Sequence, residues 1–458
     1  MTNFVTRFAP SPTGLLHAGN HRTAVFAYLA AKHYDGTFII RIEDTDAARF
    51  KPEYEANIFE ALAWLDIRAD KQFRQSEHKA RHRELLKKLI VDDTAYVSKE
   101  MPQAPGDREE VIRFRNPGGA VAFTDVVRGE ITMDTSDLGD FIIARALDEP
   151  IFHFAVVVDD ADEGVTHVIR GEDHISNTAR QILIQRALGV EAPVYVHLPL
   201  ILGNDRTKLS KRRGAKALTE YRDMGVLSEA MLNYIAFLGW NPGDNREYLS
   251  RDELIEAFDL SRVQKGSALF DEVKLFSVNQ HWMRALSDDA FLAHLSKMLD
   301  VVRPTSDVGR TTSYIGGEKL RKAVPLLKER ARTFGEVREM LDGELSCLFN
   351  APALDREKLL AKEPADRPQT AENGLQGLLK LIEGLGEGVS AEQVKETLMP
   401  LADEAEQRGK GGRGALLWPL RYALSGQERS PDPFTLISIL GKNEAVSRMQ
   451  KAIAILEG

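Results

Sequence analysis

The 458 residues carry 60 Lys and Arg against 69 Asp and Glu, a formal net charge of −9 at pH 7, with 43% hydrophobic and 28% charged residues. This is the composition of a soluble globular chain, and it argues against indiscriminate polyanion binding, which wants an excess of cations. A structured RNA read by shape and 2′-OH contacts stays open, because it needs only a local basic face.

The length prior predicts roughly three domains. One cysteine, Cys347, excludes an internal disulfide framework and any multi-cysteine zinc site. No apolar run approaches membrane-span length, and the first residues lack a basic-then-apolar signal segment. A cytoplasmic location with no membrane partner is therefore expected.

Residues 5–46, VTRFAPSPTGLLHAGNHRTAVFAYLAAKHYDGTFIIRIEDTD, read as strand, tight turn, buried helix and strand. Val5 to Phe8 makes a short strand, and Pro10, Pro12 and Gly14 break regular structure after it. Thr23 to Ala31 is apolar nearly all round, as in a buried helix. Phe38 to Ile42 is a β-branched run suited to a strand buried on both faces. This βαβ unit puts its polar turn where doubly wound sheets bind ligands. A helix start with unpaired N–H groups suits polyphosphate, and Gly19 allows close approach to the backbone. His17 and Asn20, three apart, can face one ligand. Neither a Walker loop nor a GxGxxG is present.

Residues 52–68 read as an amphipathic helix, and Ser76 to Ile90 as a basic one with a solvated face. A turn-rich stretch, AYVSKEMPQAPGDREE, follows. Residues 111–158 alternate short apolar runs with turns such as Asn116-Pro117-Gly118-Gly119, predicting an antiparallel β segment inserted between halves of the parallel sheet. The parallel pattern returns with Val165 to Arg170, a helix from about Asn177 to Leu188, and Val194 to Ile201. Gly171-Glu172-Asp173-His174 follows the first of these strands and is expected to join the site built by residues 7–20, with Asp173 or Ser176 also able to cap the next helix.

The loop from Gly203 to Ala215 is small, polar and cationic and cannot pack a core. Its lysines can offset charge growing on β/γ-phosphates as pyrophosphate leaves. Beyond residue 218 strand patterns largely vanish. Residues 218–239, 251–260, 285–300, 318–342, 374–386, 391–407, 413–425, 433–440 and 443–456 read as amphipathic helices, and Pro431-Asp432-Pro433 as a helix start.

His17-Ala18-Gly19-Asn20, with RFAPSPTG before it and RIEDTD after it, resembles the HIGH signature of class I aminoacyl-tRNA synthetases of the glutamyl branch. Lys208-Leu209-Ser210-Lys211 resembles the second mark of that class, KMSKS. The all-helical second half is unlike the β-barrels of glutaminyl members. The resemblance covers essentially the whole chain. It implies a Rossmann-like α/β catalytic domain over 1–72 and 151–217, with an inserted tRNA acceptor-binding domain at 73–150. A helical stem-contact domain at 218–305 and a helical anticodon-binding region at 306–458 follow. Lys410 to Gly414, a cationic glycine-rich turn, lies where such enzymes help read the anticodon; a plain interhelical turn fits equally.

The implied reaction joins L-glutamate to the 3′ end of tRNA-Glu, or also tRNA-Gln, through a glutamyl-adenylate, with ATP and Mg²⁺, in a monomer that needs tRNA for activation. Catalysis falls to His17, Asn20, Lys208 and Lys211. ATP falls to Ala9, Pro10, His17, Gly19, Asn20, Lys208, Leu209, Ser210 and Lys211. Glutamate falls to Arg7 and Ser11, to Glu43 for the ammonium with Asp44 and Asp46 as alternatives, and to Phe152, Arg170 and His174. The sequence departs from its relatives twice. No thiol or histidine follows Ala95-Tyr96 where many carry zinc, so no structural metal is expected, and Phe152 stands where tyrosine is usual. A non-catalytic or altered-specificity tRNA-binding paralogue is the competing reading, opposed by intact His17, Lys208 and Lys211.

Overall fold

The computed structural model describes residues 4–46, 48–101, 109–209, 214–302, 317–362, 370–407 and 412–458. The chain forms two compact units, residues 1–279 and 280–458.

The first unit opens with β1 (Val5–Phe8), α1 (Ala18–His33), β2 (Thr37–Ile42), α2 (Pro52–Trp64), β3 (Lys71–Arg74), α3 (Lys79–Val91) and β4 (Ala95–Lys99). It continues with β5 (Glu110–Phe114), β6 (Ala120–Asp125), β7 (Gly129–Asp134), β8 (Phe141–Ala146), β9 (Glu149–Pro150) and α4 (Phe152–Asp162). Then come β10 (His167–Gly171), α5 (Ile175–Leu188), β11 (Val194–Leu198), β12 (Ile201–Leu202), α6 (Leu218–Asp223), α7 (Ser228–Ala236), α8 (Arg251–Ala257), β13 (Ala268–Leu269) and α9 (Glu272–Ala285).

Seven strands make the main sheet in the order β3-β2-β1-β10-β11-β6-β7. Every pairing is parallel up to β6, and β7 closes the edge antiparallel. The chain runs outward from β1 through β2 to β3, then returns to place β10 on the other side of β1. The switch point therefore lies between β1 and β10, where an open α/β sheet leaves a crevice at its carboxyl edge. On one face α1 is held to β1 by a bond from the Thr6 hydroxyl to the Ala27 carbonyl (2.8 Å). On the other, Val5, Ile39, Val168 and Tyr195 pack with Phe154 and Val157 of α4 and Ala179 and Ile182 of α5 in one apolar cluster.

Helix α1 is buried almost all round, as its apolar run predicts. Four differences from the sequence reading have physical causes. Residues 95–99 form a strand rather than a turn-rich stretch, because Tyr96 to Lys99 pair antiparallel with β5 and only Ala95 is buried. The apolar run 152–158, read as β, is the start of α4. Burial of Phe154 to Val158 between sheet and helices overrides the strand propensity of three consecutive valines. The β6–β7 hairpin joins the main sheet, Asp125 pairing with Tyr195, while β4, β5, β8 and β9 form a separate antiparallel sheet. The stretch 218–239 divides at Gly225, the stop its sequence marks, whose φ of 81° is left-handed, whereas the single helix expected over 318–342 is two, Thr333 capping the second by accepting from the Glu336 N–H (3.1 Å). Helix α9 was not anticipated, and neither was the polar edge strand β3.

The second unit is helical among its described residues. Asp288–Val302, Glu318–Arg330, Phe334–Asp342, Thr370–Glu383, Ala391–Gln407, Arg413–Ser425, Pro433–Leu440 and Lys442–Glu457 are its main helices. Asp432 caps one of them, accepting from the Thr435 N–H (2.9 Å), with Pro433 in the first turn as its sequence predicts. Among the described residues no helix is long and apolar enough to cross a membrane.

Candidate active site

Side chains alternate along a strand, so a residue two places beyond a buried apolar one shares its face. Four strands use this at the carboxyl edge. Arg7 follows Val5, Arg41 follows Ile39, Arg170 follows Val168 and His197 follows Tyr195, and each apolar member belongs to the cluster beneath α4 and α5. The result is a row of buried cations and one imidazole across β2, β1, β10 and β11, straddling the switch point.

Asp160, at the buried end of α4, ties the first two together. Arg7 Nε donates to it at 3.2 Å, and Arg41 Nη1 donates to the same oxygen. Arg41 Nη2 also donates to Glu43 (3.2 Å), whose other oxygen accepts from the Ser11 hydroxyl (3.4 Å). Burial alone would raise the Asp160 carboxyl, but Arg41 and Arg7 outweigh it and hold it below the usual range. For Glu43 the balance goes the other way, and burial pushes its pKa up despite Arg41 and Arg7. Arg170 touches neutral acceptors, Thr178 Oγ1 at 2.7 Å and His197 Nε2 at 3.2 Å, and burial brings its pKa down to about 10. Three guanidiniums are thus drawn together at the crevice, Arg7 and Arg41 paired with Asp160 and Glu43, and Arg170 touching no carboxylate among the described residues. Phe152 and His174 form the rim, ring centres 5.6 Å apart; burial, then Arg170, drives the His174 pKa down to about 4.

The turn after β1 is built by an uncommon cap. His17 Nδ1 accepts from the Gly19 N–H (3.0 Å), and Asn20 Oδ1 accepts from the His17 N–H (3.2 Å). The first turn of α1 holds no acidic residue, so no carboxylate of its own offsets the positive end of its dipole. A Cβ on Gly19 would lie 2.8 Å from the His17 ring, so only glycine lets the ring fold back over the helix start.

Both ends of the lysine loop come to this turn. Ala217, just past the loop, bridges to His17, and Ile201 of β12 lies 3.8 Å from the Cβ position of Gly19. Leu209 N–H donates to the Ile201 carbonyl (2.9 Å), and Lys208 Nζ donates to Asp173 (2.8 Å). Asp173 therefore holds the loop lysine and does not cap α5, whose N-cap is His174. Ser210 and Lys211 lie outside the described residues. Asp44 is occupied by Ser76 through both N–H (2.8 Å) and hydroxyl (2.6 Å), and Asp46 by Arg49, which leaves Glu43 as the acidic group facing the pocket. Sequence reasoning missed Arg41 and Asp160. Arg41 was legible in principle, a charge set within a run of buried apolar residues, whereas Asp160 shows its role only through partners distant in sequence.

Among the described residues no group of three His, Cys, Asp or Glu has the geometry of a metal site.

A family model for the catalytic domain of class I tRNA synthetases (E and Q) matches residues 3–105 and 99–277, and one for an anticodon binding domain matches 290–453. The chain belongs to the class I tRNA synthetases of the glutamate and glutamine branch. It is 36% identical over 499 residues to a glutamate–tRNA ligase of Heliobacterium modesticaldum, covering 99% of this chain and 97% of that one. It is 37% identical over 486 residues to that of Aromatoleum aromaticum, covering 99% and 100%. Among solved structures it resembles a glutamate tRNA ligase from Elizabethkingia meningosepticum in complex with its amino acid, with TM-score 0.83, 32% identity and 99% of both chains covered.

Proposed function

We infer that the chain is a glutamate–tRNA ligase. The glutamate α-carboxylate attacks the α-phosphate of ATP, pyrophosphate leaves, and the acyl group passes from AMP to a ribose hydroxyl of the 3′-terminal adenosine of tRNA. The observation that carries this reading is the row of three buried guanidiniums at the switch point, one of which, Arg170, touches no carboxylate among the described residues, because such a cation beside a crevice suits a substrate that brings carboxylates of its own.

Arg7 binds the side-chain carboxylate. Asp160 occupies its Nε edge, and its Nη2 has no partner among the described residues. Glu43 and Ser11 face the α-ammonium, and Arg170, His174 and Phe152 close the pocket. ATP lies over the His17 turn along Ala9, Pro10, Gly19 and Asn20, its phosphates meeting the positive start of α1 and the loop Lys208-Leu209-Ser210-Lys211. Catalysis is positioning and charge stabilisation, with no covalent enzyme intermediate. Mg²⁺ travels with ATP, no structural zinc is needed, and the protein acts as a cytoplasmic monomer. Its parts are a catalytic domain in two halves (1–72 and 151–217), an acceptor-binding insertion (73–150) whose β6–β7 hairpin is built into the catalytic sheet, a stem-contact domain (218–305) and an anticodon region (306–458).

The test is glutamylation of purified tRNA-Glu and tRNA-Gln, side by side, with ATP and Mg²⁺. Charging of tRNA-Glu is expected, and the second substrate decides how broadly the enzyme charges. ATP–pyrophosphate exchange with glutamate is expected only with tRNA present. If neither tRNA is charged under any condition, the reading is wrong and a non-catalytic paralogue takes its place.

A further inference from the structure

Arg170 is the one guanidinium of the pocket that no carboxylate touches among the described residues. Two neutral acceptors hold it, and one of them leads elsewhere. His197 is fully buried; its Nδ1 lies 2.7 Å from Asp125 Oδ2, and its Nε2 accepts from Arg170 Nε at 3.2 Å. A carboxylate cannot donate, so the ring proton sits on Nδ1 and the Nε2 lone pair faces both Arg170 Nε–H and the Thr178 hydroxyl (3.0 Å), whose own proton reaches the His174 carbonyl (3.2 Å) and leaves the lone pair to Arg170. Asp125 has no freedom of its own. Oδ2 also accepts from the His197 backbone N–H (2.9 Å), and Oδ1 accepts from the N–H groups of Val127 (2.9 Å) and Arg128 (2.8 Å). Tyr195 lies beneath, its ring 5.4 Å from Arg170 Cζ and stacked on His197 at 5.9 Å. Strand register fixes the alignment, since Arg170 is paired with His197 and Tyr195 with Asp125.

We propose that Asp125 and His197 are positioning residues for the reaction: through the chain carboxylate, imidazole, guanidinium they set the orientation of Arg170 in the amino-acid pocket while leaving its charge available to the substrate. The physical logic is one of distance. A carboxylate in direct contact with Arg170 would orient it but also neutralise it, and the substrate would have to compete. One imidazole in between transmits orientation and keeps the anion away. Asp125 comes from the β6–β7 hairpin, so an element outside the βαβ core sets the geometry of the pocket. This inference rests on the reading that Arg170 faces glutamate.

The experiment measures KM for glutamate and for ATP, and kcat, in the full-length enzyme with saturating tRNA. Arg170→Ala tests the underlying reading and should raise the glutamate KM about 100-fold or more. His197→Phe keeps a buried ring but removes both nitrogens, and should raise the glutamate KM about 10-fold with the ATP KM within about twofold. His197→Gln returns an acceptor and should recover part of that loss, which a purely structural role would not produce. Asp125→Asn places an amide N–H against the ring, turns the tautomer so that Nε2–H faces Arg170 Nε–H, and should match His197→Phe although the histidine is intact. Thermal unfolding of each variant separates loss of fold from loss of orientation. If Arg170→Ala raises the glutamate KM but His197→Phe and Asp125→Asn do not, the chain of positioning is refuted and the pocket stands. If Arg170→Ala itself leaves the glutamate KM unchanged, the reading of the pocket fails instead. Should His197→Phe not fold, equal glutamate KM values in wild type and Asp125→Asn overturn the proposal by themselves.

Discussion

The arginine pocket and the lysine loop lie within one site but are built on opposite principles. In the pocket, Arg7, Arg41 and Asp160 are nearly inaccessible to solvent, their ion pairs made before any substrate arrives. In the loop, Lys208 keeps 54% of its side-chain surface exposed and its partner Asp173, just beyond β10, keeps 46%, so their ion pair is screened by water. Under the roles proposed above, the difference divides two kinds of work. Choosing glutamate needs rigid, desolvated charges whose geometry is fixed. Driving off pyrophosphate needs a cation that can leave its resting partner and meet charge as it develops.

The sharpest way to break this contrast is to remove one charge from each side. Asp160→Asn leaves two buried guanidiniums short of a partner. A loss of about 3–5 kcal/mol in unfolding free energy is expected, together with poor glutamate use. Chemical denaturation measures the first and glutamate KM the second. Lys208→Ala removes an exposed partner and should change stability by under about 1 kcal/mol, yet lower kcat for ATP–pyrophosphate exchange about 100-fold with little change in glutamate KM. If the two variants lose stability equally, the distinction between a preformed pocket and an adaptable loop is wrong.

A gentler probe is pH. Burial takes His174 and His153 from their ordinary value of 6.5 down to about 4. The unfolded chain therefore takes up protons first, so the stability these groups lend is complete above about pH 6.5 and is lost as pH falls towards 4. Asp160, held below its ordinary range, contributes only to loss at still lower pH. Unfolding free energy followed from pH 7 to pH 4 should fall by on the order of 2 kcal/mol or more, and His174→Gln should flatten part of that slope. An unchanged slope in the variant would mean that His174 titrates normally and is open to water.

How much of this could be read from the chain follows the same divide. Local chemistry was legible. The turn at His17, the helix it starts, Arg7 and Arg170 at strand ends, and Pro433 beginning a helix all announce themselves through spacing and residue type. What depended on partners distant in sequence was not. Asp160 meets Arg7 across 153 positions, and Asp125 meets His197 across 72. No local pattern distinguishes such an aspartate from one that ends a helix or opens a turn. The same holds for secondary structure. The run Phe154 to Val158 looks like a strand and folds as a helix, because burial among the sheet and neighbouring helices outweighs the preference of valine.

Phe152 gives the smallest expected effect and tests the rigid side of the contrast. It begins α4 at the pocket rim, 5.6 Å ring to ring from both His153 and His174. Phenylalanine preserves the apolar ring that the rim needs but offers no hydroxyl. His153 Nδ1, beside it, is buried without a hydrogen-bond partner among the described residues. Phe152→Tyr adds a donor at the edge of a pocket whose other groups are already fixed, so the new bond costs little reorganisation. A neutral hydrogen bond contributes about 0.5–1.5 kcal/mol, equivalent to a two- to tenfold lower glutamate KM. The unfolding free energy should hold within about 0.5 kcal/mol, because the aromatic packing is kept. A glutamate KM that does not move would mean that the bound amino acid lies out of reach of this rim, and that Arg7, Glu43 and Arg170 alone define its seat.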